Sequence, residues 1–369
     1  MDGDDLAAFG SNVAYSAKGD LFTLTGVNGV DPKTGKLAEG ADAQFLQAFR
    51  NVAELAPRCG FSADEIGRIA VFTPDASYRP LINPGWLELF PEDGNRPARK
   101  TTHAPLDEGV VVELEVVGAR GERVSVEIDG VRHRDPLPMG ARVGRHVFSS
   151  VIVTDVPNSD ERLDGVPAIQ QNFDNLTAFI EAAGGTLDDI SNVWVFLGMW
   201  ELHERYVDIW CDVFADEHSR PSRKTIQYPD TKVQMQIEAV IGGSRQNLEI
   251  PGIGHHDPIP MGAVTGGVFT SSGIDSRDPA TGESPKDTES RTANCFANLG
   301  RLLEQAHLEK DCLYQVTGLV ENRASIPVFT EAWHSFIGGS ADPGVFQPLA
   351  LGLMGRSSSV QILARGISA

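Results

Sequence analysis

The chain has 369 residues, of which 41% are apolar and 22% charged, the profile of a soluble globular protein with enough length to bury a sizeable core. Its formal charge of −20 opposes nucleic acid and anionic membrane surfaces, whose phosphates need a basic face. No run of eighteen apolar residues occurs, so no membrane span is expected. The start, MDGDDLAAFG, is acidic where a secretory leader is basic and then apolar. Cys59, Cys211, Cys295 and Cys312 form no CxxC pair and no metal spacing, which predicts reduced thiols in a cytoplasmic protein.

In chain order, GDLFTLTG reads as an early strand, followed by a turn rich in Asp, Pro and Gly. RIAVFTPD is an apolar strand, and VVVELEVVG closes the first stretch. RHVFSSVIV opens a second stretch. The helix after it carries Ile169, Phe173, Leu176 and Ile180 at steps of three and four, one apolar stripe, with Gly184 and Gly185 in the place of a C-cap. NVWVFLGM is the next strand, and ELHERYVDIWCDVF a helix with Tyr206, Ile209, Trp210 and Phe214 on one side. VQMQIEAVI ends that stretch. GGVFTSSG, YQVTGLVE and SVQILARGI repeat the strand series in the last third.

The stretches are copies. NRPARKTTHAPL from Asn95 returns as SRPSRKTIQYPD from Ser219, and RHRDPLPMGARVGRHVFSS from Arg132 parallels GHHDPIPMGAVTGGVFTSS from Gly254. TGVNGVDPKTGKL from Thr25 parallels SGIDSRDPATGES from Ser272, and Asn51, Asn175 and Asn298 fall in register. Three repeats follow, 1–118, 119–243 and 244–369, each the size of a small domain. The order within each, β-β-α-β-α-β, predicts an α+β fold with both helices on one sheet face. Three such sheets can cover one another around a threefold axis. The expectation is therefore a monomeric pseudo-trimer with an inner sheet barrel and outer helices, joined by short links near Gly118 and Gly243.

DPKTGKL, NLTAFIEAAGGTLDDISNVWVFL, RPSRKT and QIEAV together resemble the Rid/YjgF family of enamine/imine deaminases. The resemblance implies a chorismate-mutase-like fold and a site in each of three clefts between units. It implies that the arginine of the PxR phrase, here Arg99 and Arg223, clamps a substrate carboxylate. The chemistry agrees, because a planar guanidinium matches a carboxylate fork. A glutamate on the last strand, Glu115 or Glu238, would relay a proton to or from water. The Ser-Gly after the early strand maps onto Thr25-Gly26 and Ser272-Gly273, while only Ser150 remains in the second repeat. Backbone amides there and at Thr101 or Thr225 would hold carboxylate oxygens.

The departures are specific. Lys100 and Lys224 follow the arginines, read as outward-facing lysines or else as a sign of a larger or more anionic ligand. Leu137 and Ile259 occupy the places of the family's early tyrosine, with Tyr15 close by. In the third repeat Gln347 or Pro348 stands for the arginine and Leu363 for the glutamate, so at most two clefts keep the family chemistry.

His133 lies near Asp135, and His255 and His256 precede Asp257. These residue types suit zinc, manganese or iron, but the expected state is no metal, with His133 and His255 as candidate acid–base groups. Met139 and Met261 read as cleft wall or core, and the tryptophans as packing. Ser149, Ser150, Ser271 and Ser272 lack a paired lysine base, and no phosphate loop is present. The reading is a cofactor-free hydrolase deaminating a carboxylate-bearing enamine or imine, with no nucleic-acid or membrane partner. The alternatives are a non-catalytic protein that binds small anions, and a specialised catabolic hydrolase that uses the cleft histidines.

Overall fold

The apolar runs IGRIAVFT and ISNVWVFL leave almost no residue for water, and both become strands buried along nearly their whole length. The computed structural model describes residues 3–228, 232–320, 322–340, 343–350 and 360–368. Glu321 and Ser359, which end and begin predicted strands, lie outside the described residues. The chain divides into two units, Met1–Val126 with Arg132–Ser150, and Glu127–Val131 with Val151–Ala369.

In the first unit a short helix α1 (Gly3–Ala7) precedes strands β1 (Ala14–Lys18) and β2 (Leu21–Asn28). A two-residue pair, β3 (Val30–Asp31) and β4 (Lys36–Leu37), leads into helix α2 (Ala41–Arg58). Then come β5 (Ile66–Thr73), α3 (Ile82–Leu89), β6 (Ala98–His103) and β7 (Glu113–Ala119). Their sheet runs β1-β2-β7-β5-β6, with β5 parallel to β6 and antiparallel to β7. A meander of β8 (Arg123–Val126), β9 (Gly140–Val143) and β10 (His146–Ser149) completes the unit. Phe45, Phe49 and Val52 of α2 and Trp86 of α3 bury against Leu24, Ile69 and Leu114 of the sheet.

In the second unit helix α4 (Gly165–Ala182) is followed by β11 (Ile190–Leu197), α5 (His203–Val213), β12 (Ser222–Gln227) and β13 (Val233–Val240). Strand β11 lies between β12, to which it is parallel, and β13, to which it is antiparallel. The stripe Ile169, Phe173, Leu176 and Ile180 is buried, and Gly184, at φ +83, ends α4 where its C-cap was predicted. The remaining elements are β14 (Arg245–Leu248), β15 (Gly262–Thr265), β16 (Val268–Ser271), α6 (Thr288–Gln305), β17 (Leu313–Val320), α7 (Ile326–Ile337), β18 (Val345–Ala350) and β19 (Val360–Ile367). They form a sheet in the order β14-β15-β16-β19-β17-β18, with Phe296, Leu299, Phe329 and Trp333 of the two helices in its core.

The fold is thus mixed α+β, with several sheets and seven helices among the described residues. The three asparagines in sequence register have one job. Asn51 donates to the carbonyls of Asn28 and Val30, Asn175 to those of Val153 and Asp155, and Asn298 to those of Asp275 and Arg277. Each long helix thereby ties down the chain leaving an early strand, and satisfies buried backbone acceptors that would otherwise be orphaned.

Candidate active site

Strand β12 is the outer member of its three-strand set, so residues on both of its faces reach a cleft of about 1540 Å³. Alternation sends Arg223 and Thr225 to one face and Lys224 to the other. Arg223 turns towards helix α5, where its guanidinium carbon lies 4.7 Å from the Trp210 ring centre and 5.4 Å from that of Tyr206. The side chain is 1% exposed. Its Nη2 is ion-paired with Asp257, which the HHDP segment supplies. The same carboxylate oxygen accepts a hydrogen bond from His203 Nε2 at 3.0 Å. Burial would raise the Asp257 pKa, but the His203 hydrogen bond and the Arg223 charge overcome it and hold the carboxyl down at about 2.

The backbone of the arginine is fixed too. Ser272 Oγ accepts from Arg223 N–H at 3.0 Å and donates to the Pro260 carbonyl at 2.7 Å. This serine therefore anchors the clamp strand. Gly273, next to it, lets Gln361 approach: a Cβ there would stand 2.7 Å from Gln361 Oε1. Several buried polar atoms remain unspent. Arg223 Nε and Nη1, Thr225 Oγ1 and His255 Nε2 are buried with no hydrogen-bond partner among the described residues. Burial pushes the half-buried His255 ring down to about 4, so it is neutral at neutral pH. His256 is exposed.

The first unit builds the same constellation. The Arg99 guanidinium carbon lies 4.8 Å from the Trp86 ring centre, and its Nη2 is 3.7 Å from Asp135. Ser150 Oγ accepts from Arg99 N–H at 3.0 Å and donates to Pro138 O at 2.7 Å. Arg99 is 4% exposed, its Nη1 lacks a partner among the described residues, and burial lowers its pKa to about 10. Arg79 occupies the place of His203, each seven residues before its tryptophan, and binds Asp135 at 2.8 Å. The tryptophans expected to be plain packing are thus platforms for the arginines. The RDP and HDP phrases carry the counter-ions, and their exact pairing with the RPxRKT phrases was the signal in the sequence.

Other predicted residues fall elsewhere. Glu238 is in register with Asn192 and Ser222, on the sheet face opposite Arg223. It pairs with Arg365 at 2.7 Å and does not line the cleft. Glu115 shares a row with Ala70 and Lys100, opposite the face of Arg99. The two glutamates are not equivalent either, because the β6–β7 connection is longer than the β12–β13 one and Glu115 matches Gln236 in register. Strand parity therefore puts each glutamate, expected to work with an arginine, on the face away from the arginine of its own sheet. Lys100 and Lys224 do not face outward: they are 5% and 6% exposed. Lys224 Nζ donates to Gln361, and burial lowers its pKa to about 8 and that of Lys100 to about 7.

Thr25 is buried, and Gly26, at φ +72, lies so close to the Asn12 carbonyl that no Cβ would fit. Thr101 shares the face of Arg99, and His133 is half-buried on the loop that carries Asp135. Tyr15 and Leu137 pack on the core of the first unit, whereas Ile259 lines the cleft of the second. In the last stretch the residue in register with the arginines is Phe346, not Gln347 or Pro348. Its ring stacks on Trp333 at 5.8 Å, so apolar packing replaces the cation there. Among the described residues, no group of three or more His, Cys, Asp or Glu side chains could hold a metal ion.

Residues 3–120 match the family model described as endoribonuclease L-PSP. A RutC family protein of Aquifex aeolicus is 30% identical over 107 residues, 28% of this chain and 85% of that protein. A 2-iminobutanoate/2-iminopropanoate deaminase of Salmonella typhimurium is 31% identical over 116 residues, 31% of this chain and 91% of that enzyme. Among solved structures, a chorismatase superposes with a TM-score of 0.56 over 83% of this chain and 93% of its own, at 13% identity, a likeness of fold alone.

Proposed function

Because the chain belongs to the Rid/YjgF family, we propose that the cleft of its second unit hydrolyses the C–N double bond of a small carboxylate-bearing imine or enamine. One observation carries the reading: a guanidinium 1% exposed, fixed by Asp257, Trp210 and Ser272, keeps Nε and Nη1 unspent beside a large cleft. A carboxylate placed there gains charge-assisted hydrogen bonds to donors already desolvated. Thr225 Oγ1 and the neutral His255 Nε2 supply further polar contacts along the same wall. Imines hydrolyse readily, so orientation of the substrate and one proton acceptor suffice.

The wider frame of this reading is a cytoplasmic enzyme whose three repeats, 1–118, 119–243 and 244–369, assemble as a pseudo-trimer. Arg99 is the second carboxylate site. Glu238 and Glu115 take no part in it as partners of the arginine on their own sheet. To test it, 2-iminobutanoate is generated in situ and ammonia release is followed. Wild-type protein should accelerate release, and Arg223→Ala should lower kcat/KM about 100-fold, the equivalent of about 3 kcal/mol of charge-assisted hydrogen bonding. A wild-type rate no better than that of Arg223→Ala refutes the proposal.

A further inference from the structure

The two arginine–aspartate constellations differ in one functional group. Arg79 and His203 stand at the same place in their helical segments, and each contacts the aspartate that holds the buried arginine. Arginine cannot give up its proton in a protein, whereas imidazole exchanges one near neutrality. We propose that His203 is the general base of the second unit's cleft, and that Arg79 leaves the first unit's copy able to bind an anion but not to move a proton. This inference rests on the imine-hydrolase reading.

The geometry is that of an oriented imidazole. Nε2 is bound to Asp257 Oδ2 at 3.0 Å, the oxygen that also receives Arg223 Nη2. The carboxylate, ionised down to about 2, fixes the tautomer with the proton on Nε2 and leaves Nδ1 as the acceptor. The indole of Trp200 stacks on the ring at 4.5 Å with an interplanar angle of 9°, which holds its plane. Nδ1 has no partner among the described residues, and the side chain, 16% exposed, lines the cleft. Because both groups touch one oxygen, a molecule as small as a 2-imino acid can reach both guanidinium and imidazole. Among the other titratable groups around this centre, His256 stands 3.8 Å from the other Asp257 oxygen, and Tyr206 lies beneath Arg223.

The chemistry balances without a co-reactant. Nδ1 takes a proton from water as the water oxygen bonds to the imine carbon, and the C=N π pair moves onto the protonated imine nitrogen. The imidazolium returns its proton to that nitrogen. Ammonia then leaves with the C–N pair, while the hydroxyl proton passes to the imidazole and on to solvent and the C=O bond forms.

The test compares wild type with His203→Arg, which copies the first unit, and with His203→Ala. Titration with 2-oxobutanoate by calorimetry reports whether the carboxylate site survives. The expected result is a kcat for ammonia release lowered about 100-fold or more in both variants, with 2-oxobutanoate affinity within about threefold of wild type. Added imidazole should restore kcat of His203→Ala but not of Arg223→Ala. If His203→Arg keeps kcat within about threefold of wild type, or imidazole fails to restore His203→Ala whose binding is intact, the inference is overturned and the imine-hydrolase reading stands. If binding is lost in both variants, His203 serves the site's structure and the inference fails. If wild type itself shows no turnover, both fall together.

Discussion

Replacing Asp257 by alanine isolates the energetic role of the counter-ion under Arg223. The guanidinium is 1% exposed, and Nε and Nη1 already lack partners among the described residues. Losing the carboxylate strips Nη2 as well and leaves a buried cation with only the Trp210 and Tyr206 rings beneath it. Breaking one side of a buried pair costs about 3–5 kcal/mol. The first unit supplies the control: Asp135 stands 3.7 Å from Arg99, and its closer contact is to an exposed Arg79, so Asp135→Ala should cost only about 1 kcal/mol. Urea titration at pH 7, read through tryptophan fluorescence, measures both. Acid gives a second arm. The Asp257 carboxyl sits at about 2 against an ordinary 3.8, a depressed value, so its contribution is present above pH ~4 and is lost as pH falls through ~2. That part amounts to about 2 kcal/mol, smaller than the alanine effect because protonated Asp still fills its place. Asp257→Ala within 1 kcal/mol of wild type, or no more harmful than Asp135→Ala, refutes the reasoning.

Ser272→Ala should destabilise by about 2 kcal/mol and raise KM for a 2-imino acid, since it orphans both the Arg223 N–H and the Pro260 carbonyl; urea midpoints and initial rates check it. Lys224→Met should stabilise the protein at neutral pH. A lysine whose folded pKa is lowered from 10.5 to about 8 penalises the native state fully below pH ~8, and the penalty fades as pH rises towards ~10.5. The wild-type urea midpoint should therefore climb across that window and that of Lys224→Met should stay flat; parallel curves would show that Lys224 is not desolvated.

Elements whose periodicity is local were readable from the chain. The α4 stripe and its glycine stop follow from spacing alone, and the in-register Asn51, Asn175 and Asn298 proved to share one backbone-binding role. What escaped the sequence was set by strand pairing. The phrase RPSRKT places Arg223 and Lys224 side by side, yet the pleat sends them to opposite faces, so a lysine expected in solvent is buried on Gln361. Glu238 stands a plausible fifteen residues after Arg223, but the parity of β12, β11 and β13 puts it across the sheet, on Arg365. Phe346 was hidden by the neighbouring Gln347, because only the parallel register of β17 and β18 identifies the arginine's place. The HHDP phrase was read for metal or proton chemistry, while its aspartate serves as the counter-ion of Arg223. His203 carried no motif. Only its alignment with Arg79 through Trp210 and Trp86 exposes it.

The central claim, that Arg223 is a carboxylate site in the second unit's cleft, meets its most direct test in calorimetric titration of wild type and Arg223→Ala with 2-oxobutanoate. Wild type should bind, and Arg223→Ala, although less stable for loss of its buried pair with Asp257, should still unfold cooperatively in urea and lose the heat assigned to that cleft. Equal affinity in the two proteins would contradict the account.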